Sequence, residues 1–433
     1  MTLTSPPDAS LPAMSRRRDV KVMTLVGVGH FLSHFYLMTL PPLFPVLKEA
    51  FAVSYLQLGL ALGILNLTTA LTQAPVGFLV DRLGPRTILI TGLSVFAFAI
   101  ALVGIAPSYP ALILFMVLAG LGNSVFHPAD YSILSTIDHQ RMGRAYSIHT
   151  FGGFAGFAAA PPIAVGLTAL IGWQGALLIM GTAGIAVAFV MLINSAVLTG
   201  DISGPDRQSE QDPRSTLDTQ SASDKANDMK GGIQLLLSPS MLIGLLLFLM
   251  LAVSHGGITA FSVAAIKDLY DLPLAAANVP LTSYLTASAL GVLAGGWIAD
   301  RVVNQDRIVA VYLVLTALSV APIAAISLSV WTIAILTGVA GFLSGAIAPS
   351  RDLMIRSMTP PGSSGKVFGF VTSGFNIGGI VTPFIFGAAM DSGDPRLVFW
   401  LVVAFNLLTL IVVFATGREV HQNANRASDK AAD

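Results

Sequence analysis

The chain has 433 residues, of which 54% are hydrophobic and only 11% charged. A soluble globular domain carries about 25% charged residues, so this composition excludes one and places the chain in a lipid bilayer. Lysine plus arginine balance aspartate plus glutamate at 23 each, which leaves no basic field for nucleic acid; the absence of cysteine excludes disulfides and thiolate metal centres.

The first 19 residues are polar and bring Arg16-Arg17-Arg18 up to an apolar run. That run continues to about Leu47 without a small-residue cleavage site, which predicts a retained first span rather than a leader. A bilayer core about 30 Å thick takes about 20 helical residues. By that length the sequence predicts twelve spans, near 20–47, 55–80, 87–106, 109–137, 143–171, 174–198, 240–268, 277–300, 307–328, 330–358, 364–390 and 395–416. The long polar interruption at 199–232 is rich in Asp, Ser, Gln and Lys and reads as a mobile linker. The plan is therefore a tail over 1–19, a bundle over 20–198, a linker over 199–239, a bundle over 240–416 and a tail over 417–433.

Short loops after even-numbered spans hold Arg82, Arg86, Arg141, Arg144, Arg301, Arg307, Arg356 and Lys366. Those after odd-numbered spans hold Lys48, Lys267 and Arg396. Eight cations against three predict cytoplasmic termini and a cytoplasmic linker.

The two halves repeat. Ser33-His34 recurs as Ser254-His255, and Pro128 as Pro349, each 221 positions on; Asp130 then falls opposite Arg351. Gly77, Asp81 and Arg82 recur as Gly296, Asp300 and Arg301, 219 on; Gly143-Arg144 and Pro161 recur as Gly365-Lys366 and Pro383, 222 on. An even number of spans separates the copies, so the halves share one topology and relate by an axis along the membrane normal.

The stretch Gly77-Phe78-Leu79-Val80-Asp81-Arg82-Leu83-Gly84-Pro85-Arg86 resembles the G-x-x-x-D-R-x-G-x-[RK] signature of the major facilitator superfamily, between spans two and three. The resemblance implies an all-α membrane fold of twelve helices in two pseudo-symmetric six-helix bundles, working by alternating access. It also implies a gating role for Gly77, Asp81, Arg82, Gly84 and Arg86, repeated by Asp300 and Arg301, in stabilising the outward-open state. Gly122-x-Ser124-Val125-Phe126-His127-Pro128 and Phe151-Gly152-Gly153-Phe154-Ala155-Gly156 further resemble the fosmidomycin-resistance exporters. That group has Glu after the His-Pro pair, where this chain has Ala129 with Asp130 one step later. It also has Asn-Asp after its first-span His, where this chain has Tyr36 nearby.

Ionisable groups inside the spans are selective. Away from the span ends they are His30 and His34 in span 1, His127 and Asp130 in span 4, His255 in span 7, and Arg351 and Asp352 in span 10, with His149 in span 5 the exception. A charge in hydrocarbon costs roughly 2.5–3.5 kcal/mol on insertion scales, so such groups face a polar cavity and have a task. In the family, spans 1, 4, 7 and 10 line the central cavity. His30 with His34 and His127 with Asp130 sit three or four apart, each pair on one helix face. Histidine beside a carboxylate can relay protons, which makes Asp130, His127 and His34 the coupling candidates. Arg351 stays charged and can bind an anionic group or pair with Asp130 or Asp352. It is the leading substrate contact, with His255, His30, Tyr36 and Phe126 beside it; His149 is read as structural or close to the cytoplasmic end, and Asp352 as the partner of a loop cation.

No G-x-x-x-x-G-K-[ST] is present, so a proton gradient rather than ATP is the expected energy source, with no cofactor and no metal. The expectation is a non-enzymatic monomer in the inner (plasma) membrane, whose partners are lipid, protons and a small organic substrate. Its leading function is proton-coupled antiport that exports the substrate. Alternatives are proton symport of an organic anion held by Arg351, and a membrane sensor without turnover.

Overall fold

A computed structural model describes residues 10–198, 234–360 and 363–432; most of the expected 199–239 linker lies outside the described residues. All regular structure in the described residues is helical. The membrane-length helices are α1 Arg16–Phe51, α2 Tyr55–Leu83, α3 Pro85–Val103, α4 Tyr109–Leu134, a stretch Gln140–Ile193, α7 Pro239–Tyr270, α8 Leu274–Ala299, α9 Gln305–Ala325, α10 Val330–Met358, α11 Lys366–Asp391 and α12 Arg396–Arg418.

At 1.5 Å per residue the 54-residue stretch would run about 80 Å, far beyond a bilayer of about 30 Å. It turns back at Gly172, whose φ of +76° only glycine adopts without strain. We label its two arms α5 (140–171) and α6 (173–193), and the membrane-length helices among the described residues are then twelve. Four others are irregular. α1 breaks at Pro41–Leu43, α4 breaks after Asn123, and α7 and α11 each widen into a π turn, at Gly257–Phe261 and Pro383–Gly387. α12 continues as helix to Ala432, through the stretch expected as a tail.

Glycine contacts show the duplication directly. On α4, a Cβ added to Gly120 would lie 2.6 Å from the Leu65 carbonyl oxygen of α2; 221 positions on, Gly341 of α10 abuts the Tyr284 carbonyl of α8. On α5, Gly152 sits on Gly27 and Gly156 on Phe31 of α1; on α11, Gly374 sits on Phe248 and Gly378 on Ala252 of α7. The same small residues let the same helix pairs approach in both bundles.

The bundles meet along α2 with α11 and along α5 with α8. Where α1 passes into α2 the seam is shut: a Cβ on Gly59 would lie 2.8 Å from Pro383, and one on Gly387 would lie 2.6 Å from Leu56. At the opposite end Asp81, Arg82, Asp300 and Arg301 are exposed. Phe78, on the turn before Asp81, is 70% exposed.

Candidate functional site

Between the bundles lies a cavity of about 630 Å³. His34 of α1 and His127 of α4 reach its wall from one side; His255 of α7, Tyr284 of α8 and Arg351 of α10 reach it from the other. Amides of Asn66, Gln73 and Asn376 add hydrogen-bonding capacity. Among the described residues Arg351 is the one permanently charged side chain on this wall.

Asp130 lies behind the wall. Pro128 has no N–H to offer the Ser124 carbonyl, so α4 bends at Ser124-Val125 and restarts at Phe126. The restarted segment turns Asp130 toward α1 and α5, where it is fully buried. Its Oδ2 is 3.1 Å from His30 Nδ1 and 3.0 Å from His149 Nε2. Oδ1 is buried without a hydrogen-bond partner among the described residues. The two imidazoles are stacked, with centroids 3.6 Å apart. His34 and His127 lie 4.5 and 5.6 Å from His30, so four histidines from three helices surround one carboxylate. Gly153 makes the room: a Cβ there would lie 3.0 Å from the His34 ring and 3.1 Å from His30.

His30, Asp130 and His149 offer ligand atoms within 4.8 Å of one another, a spacing that can hold a metal ion. Zinc, however, sits about 2.0–2.1 Å from each imidazole nitrogen along that ring's lone pair. Two rings 3.6 Å apart and only 25° from parallel aim those lone pairs side by side, which suits two N–H donors on one oxygen better than one shared ion.

On the opposite bundle Arg351 turns to its neighbour: Nη2 and Nε lie 2.8 and 2.9 Å from Asp352 Oδ1. The guanidinium also rests 4.3 Å from the Phe248 ring and 5.1 Å from Phe375. Its partner is thus Asp352, and Asp352 in turn pairs with Arg351 instead of a loop cation. His255 Nδ1 and the Tyr284 hydroxyl are hydrogen-bonded at 2.9 Å.

The structure therefore brings Asp130, His127, His34 and His30 into one cluster, with His30 one layer back from the cavity. It adds His149, expected from the sequence to be structural. Phe126 reaches the cavity wall. Tyr36 lies outside the cavity: it is 1% exposed, donates its hydroxyl to the Met180 carbonyl at 3.0 Å and packs on Phe96. In the gating motif, Asp81, Gly77 and Phe78 line a shallow cleft against Pro128 and Ser132 of α4. Gly84 turns the chain at φ +84°, Arg86 is half-buried, and Arg301 stacks on Trp297 and donates to its carbonyl.

Two like bundles around one cavity with polar and ionisable groups on and just behind its wall define a multi-pass membrane transporter. The Major Facilitator Superfamily model matches residues 26–277 and 247–432, and the chain belongs to that family. It is similar to the fosmidomycin resistance protein of Escherichia coli (strain K12), 24% identical over 94% of this chain and 95% of that one. It is 28% identical to the uncharacterized MFS-type transporter YfnC of Bacillus subtilis (strain 168), over 40% of this chain and 42% of the relative's length. Among solved structures it shares its fold with a bacterial homolog to the human lysosomal transporter Spinster, in an inward-facing and occupied conformation. The TM-score is 0.76 at 16% identity, over 92% of this chain and 97% of that one. Relatives and fold alike are transporters, not enzymes.

Proposed function

We propose that the chain is a proton-coupled antiporter that exports a small organic molecule by alternating access. The observation that carries this reading is Asp130, a carboxylate fully buried at membrane depth and held by two histidines just behind the cavity wall. Such a group is expensive to keep unless it is used. His127 and His34 stand between it and the cavity, so a substrate that contacts them can alter protonation of the carboxylate without touching it. Proton and substrate then compete through a shared layer of imidazoles. Arg351, His255 and Phe126 supply the substrate contacts. The proton gradient is the energy source, with no cofactor, and the working unit is the monomer.

The loop cations orient the protein. The positive-inside rule puts the open end, with Asp81, Arg82 and Arg86, in the cytoplasm of a cell with both termini inside. The conformation described here then loads from the cytoplasm, as an exporter in the plasma (inner) membrane does. Closure at that end would bring the motif residues of α2 and α8 against the facing bundle.

A second reading, proton symport of an organic anion, is favoured by Arg351 alone. Proteoliposomes with a trapped pH dye separate the two, probed with a compound panel headed by fosmidomycin. A compound loaded inside and flowing outward acidifies the lumen under antiport and makes it alkaline under symport. If no compound in a broad panel moves the dye beyond empty liposomes, proton coupling is wrong.

A further inference from the structure

The shut end of the seam carries a polar contact that the transport reading does not use. α2 starts behind Ser54, whose capping box serves two groups: Ser54 Oγ accepts the Gln57 N–H at 3.2 Å, and Gln57 Oε1 accepts the Ser54 N–H at 2.9 Å. The Tyr55 and Leu56 amides are left over, as first-turn amides are. Both go to the other bundle. Asp391, the last residue of α11, accepts Tyr55 N–H on Oδ1 and Leu56 N–H on Oδ2, each at 2.9 Å. The Tyr55 hydroxyl donates to Asp268 Oδ2 of α7 at 3.0 Å, and Lys48 Nζ lies 4.2 Å from the Tyr55 ring centre. One carboxylate of one bundle thus grips the positive end of a helix in the other, and a second holds the hydroxyl of that helix's first residue.

We propose that Asp391 and Asp268 form a latch on α2 that holds this end of the cavity shut and is broken and remade in each cycle. The proposal rests on the alternating-access reading for its purpose, though not for its geometry. Beneath the latch the seam is backbone against small or apolar residues, with Gly59 on Pro383 and Phe261 and Gly387 on Leu56. Such contact resists separation but does not choose a register; a carboxylate that must meet two adjacent amides does. Once parted, the amides and carboxylates can all hydrogen-bond to water, so the latch biases the equilibrium without locking it. It also occupies one seam of two. On the α5–α8 side, α8 opens at Leu274 behind Pro273 with no side-chain cap, and Ala169 stands 222 positions before Asp391.

The chain has no cysteine, so spin labels can be placed cleanly. Ser108→Cys and Ser327→Cys put labels at exposed positions at the latch end, one on each bundle; Gln140→Cys, at the start of α5, and Val303→Cys do so at the other end. Double electron–electron resonance in liposomes reads both distances with neither substrate nor proton gradient, so its outcome is independent of whether transport is proton-coupled. In Asp391→Asn/Asp268→Asn the ratio of short to long latch-end distances should fall about tenfold, the scale of losing charge-assisted hydrogen bonds. The opposite pair should close reciprocally, which also shows that the variant is folded. Tyr55→Phe, which loses only the hydroxyl bond, should shift the same way by a smaller factor, and Asp391→Glu should stay near wild type. Unchanged latch-end distances in both the double variant and Tyr55→Phe would overturn the latch.

Discussion

Asp130 stands two residues after Pro128, and Arg351 two residues after Pro349, yet the two bundles use these positions in opposite ways. Asp130 is withdrawn from the cavity into a nest of imidazoles, whereas Arg351 lies on the cavity wall. The cause is in the neighbouring helices. The counterparts of His30 and His149, 221 and 222 positions on, are Leu251 and Val371, which offer a charge nothing. Arg351 therefore turns to Asp352 and to the faces of Phe248 and Phe375. One scaffold, copied twice, presents a charge or hides it according to two residues on adjacent helices. The hidden group suits a proton and the presented one suits a substrate.

The contrast can be broken first by exchanging the charges. Asp130→Arg buries a cation among four histidines with no counter-charge, and an unpaired buried charge costs about 3–5 kcal/mol. Folded protein should disappear from size-exclusion profiles, while Arg351→Asp, on the cavity wall, should still fold. Next, Arg351→Ala should leave expression unchanged and weaken binding of an anionic panel compound about tenfold to a hundredfold, the loss expected for a charge-assisted hydrogen bond, as read by titration calorimetry. His149→Ala removes one of the two donors to Asp130 Oδ2 and should lower stability in denaturant titration by roughly 1–3 kcal/mol. Tyr36→Phe is the smallest change: about 0.5–1.5 kcal/mol of stability from the lost bond to Met180, with substrate binding unaltered.

Much of the fold was readable from residues alone because long apolar runs and a duplication are strong signals. The break between spans five and six was expected beside Gly172, where the chain does turn. The site was less legible, since depth along a helix and contacts between helices are tertiary properties. His30 and His34 share a face, but a single turn separates the group behind the wall from the group on it. Tyr36 follows His34 by two residues, about 200° around the helix, and that angle alone points it away. The missed residue had a signal. His149, Gly152, Gly153 and Gly156 follow the i, i+3, i+4, i+7 pattern, so His149 lies on the glycine face that packs against α1. A histidine on a close-contact face is positioned to meet whatever the neighbouring helix buries.

Because Asp130 sits behind the cavity instead of on it, proton coupling and substrate binding should be separable. The direct test compares Asp130→Asn with wild type in proteoliposomes, measuring exchange of labelled substrate at equal pH alongside accumulation driven by a pH gradient. Exchange should persist while gradient-driven accumulation falls to the level of empty liposomes. Equal loss of both, or of neither, would contradict the assignment of this carboxylate as the coupling group.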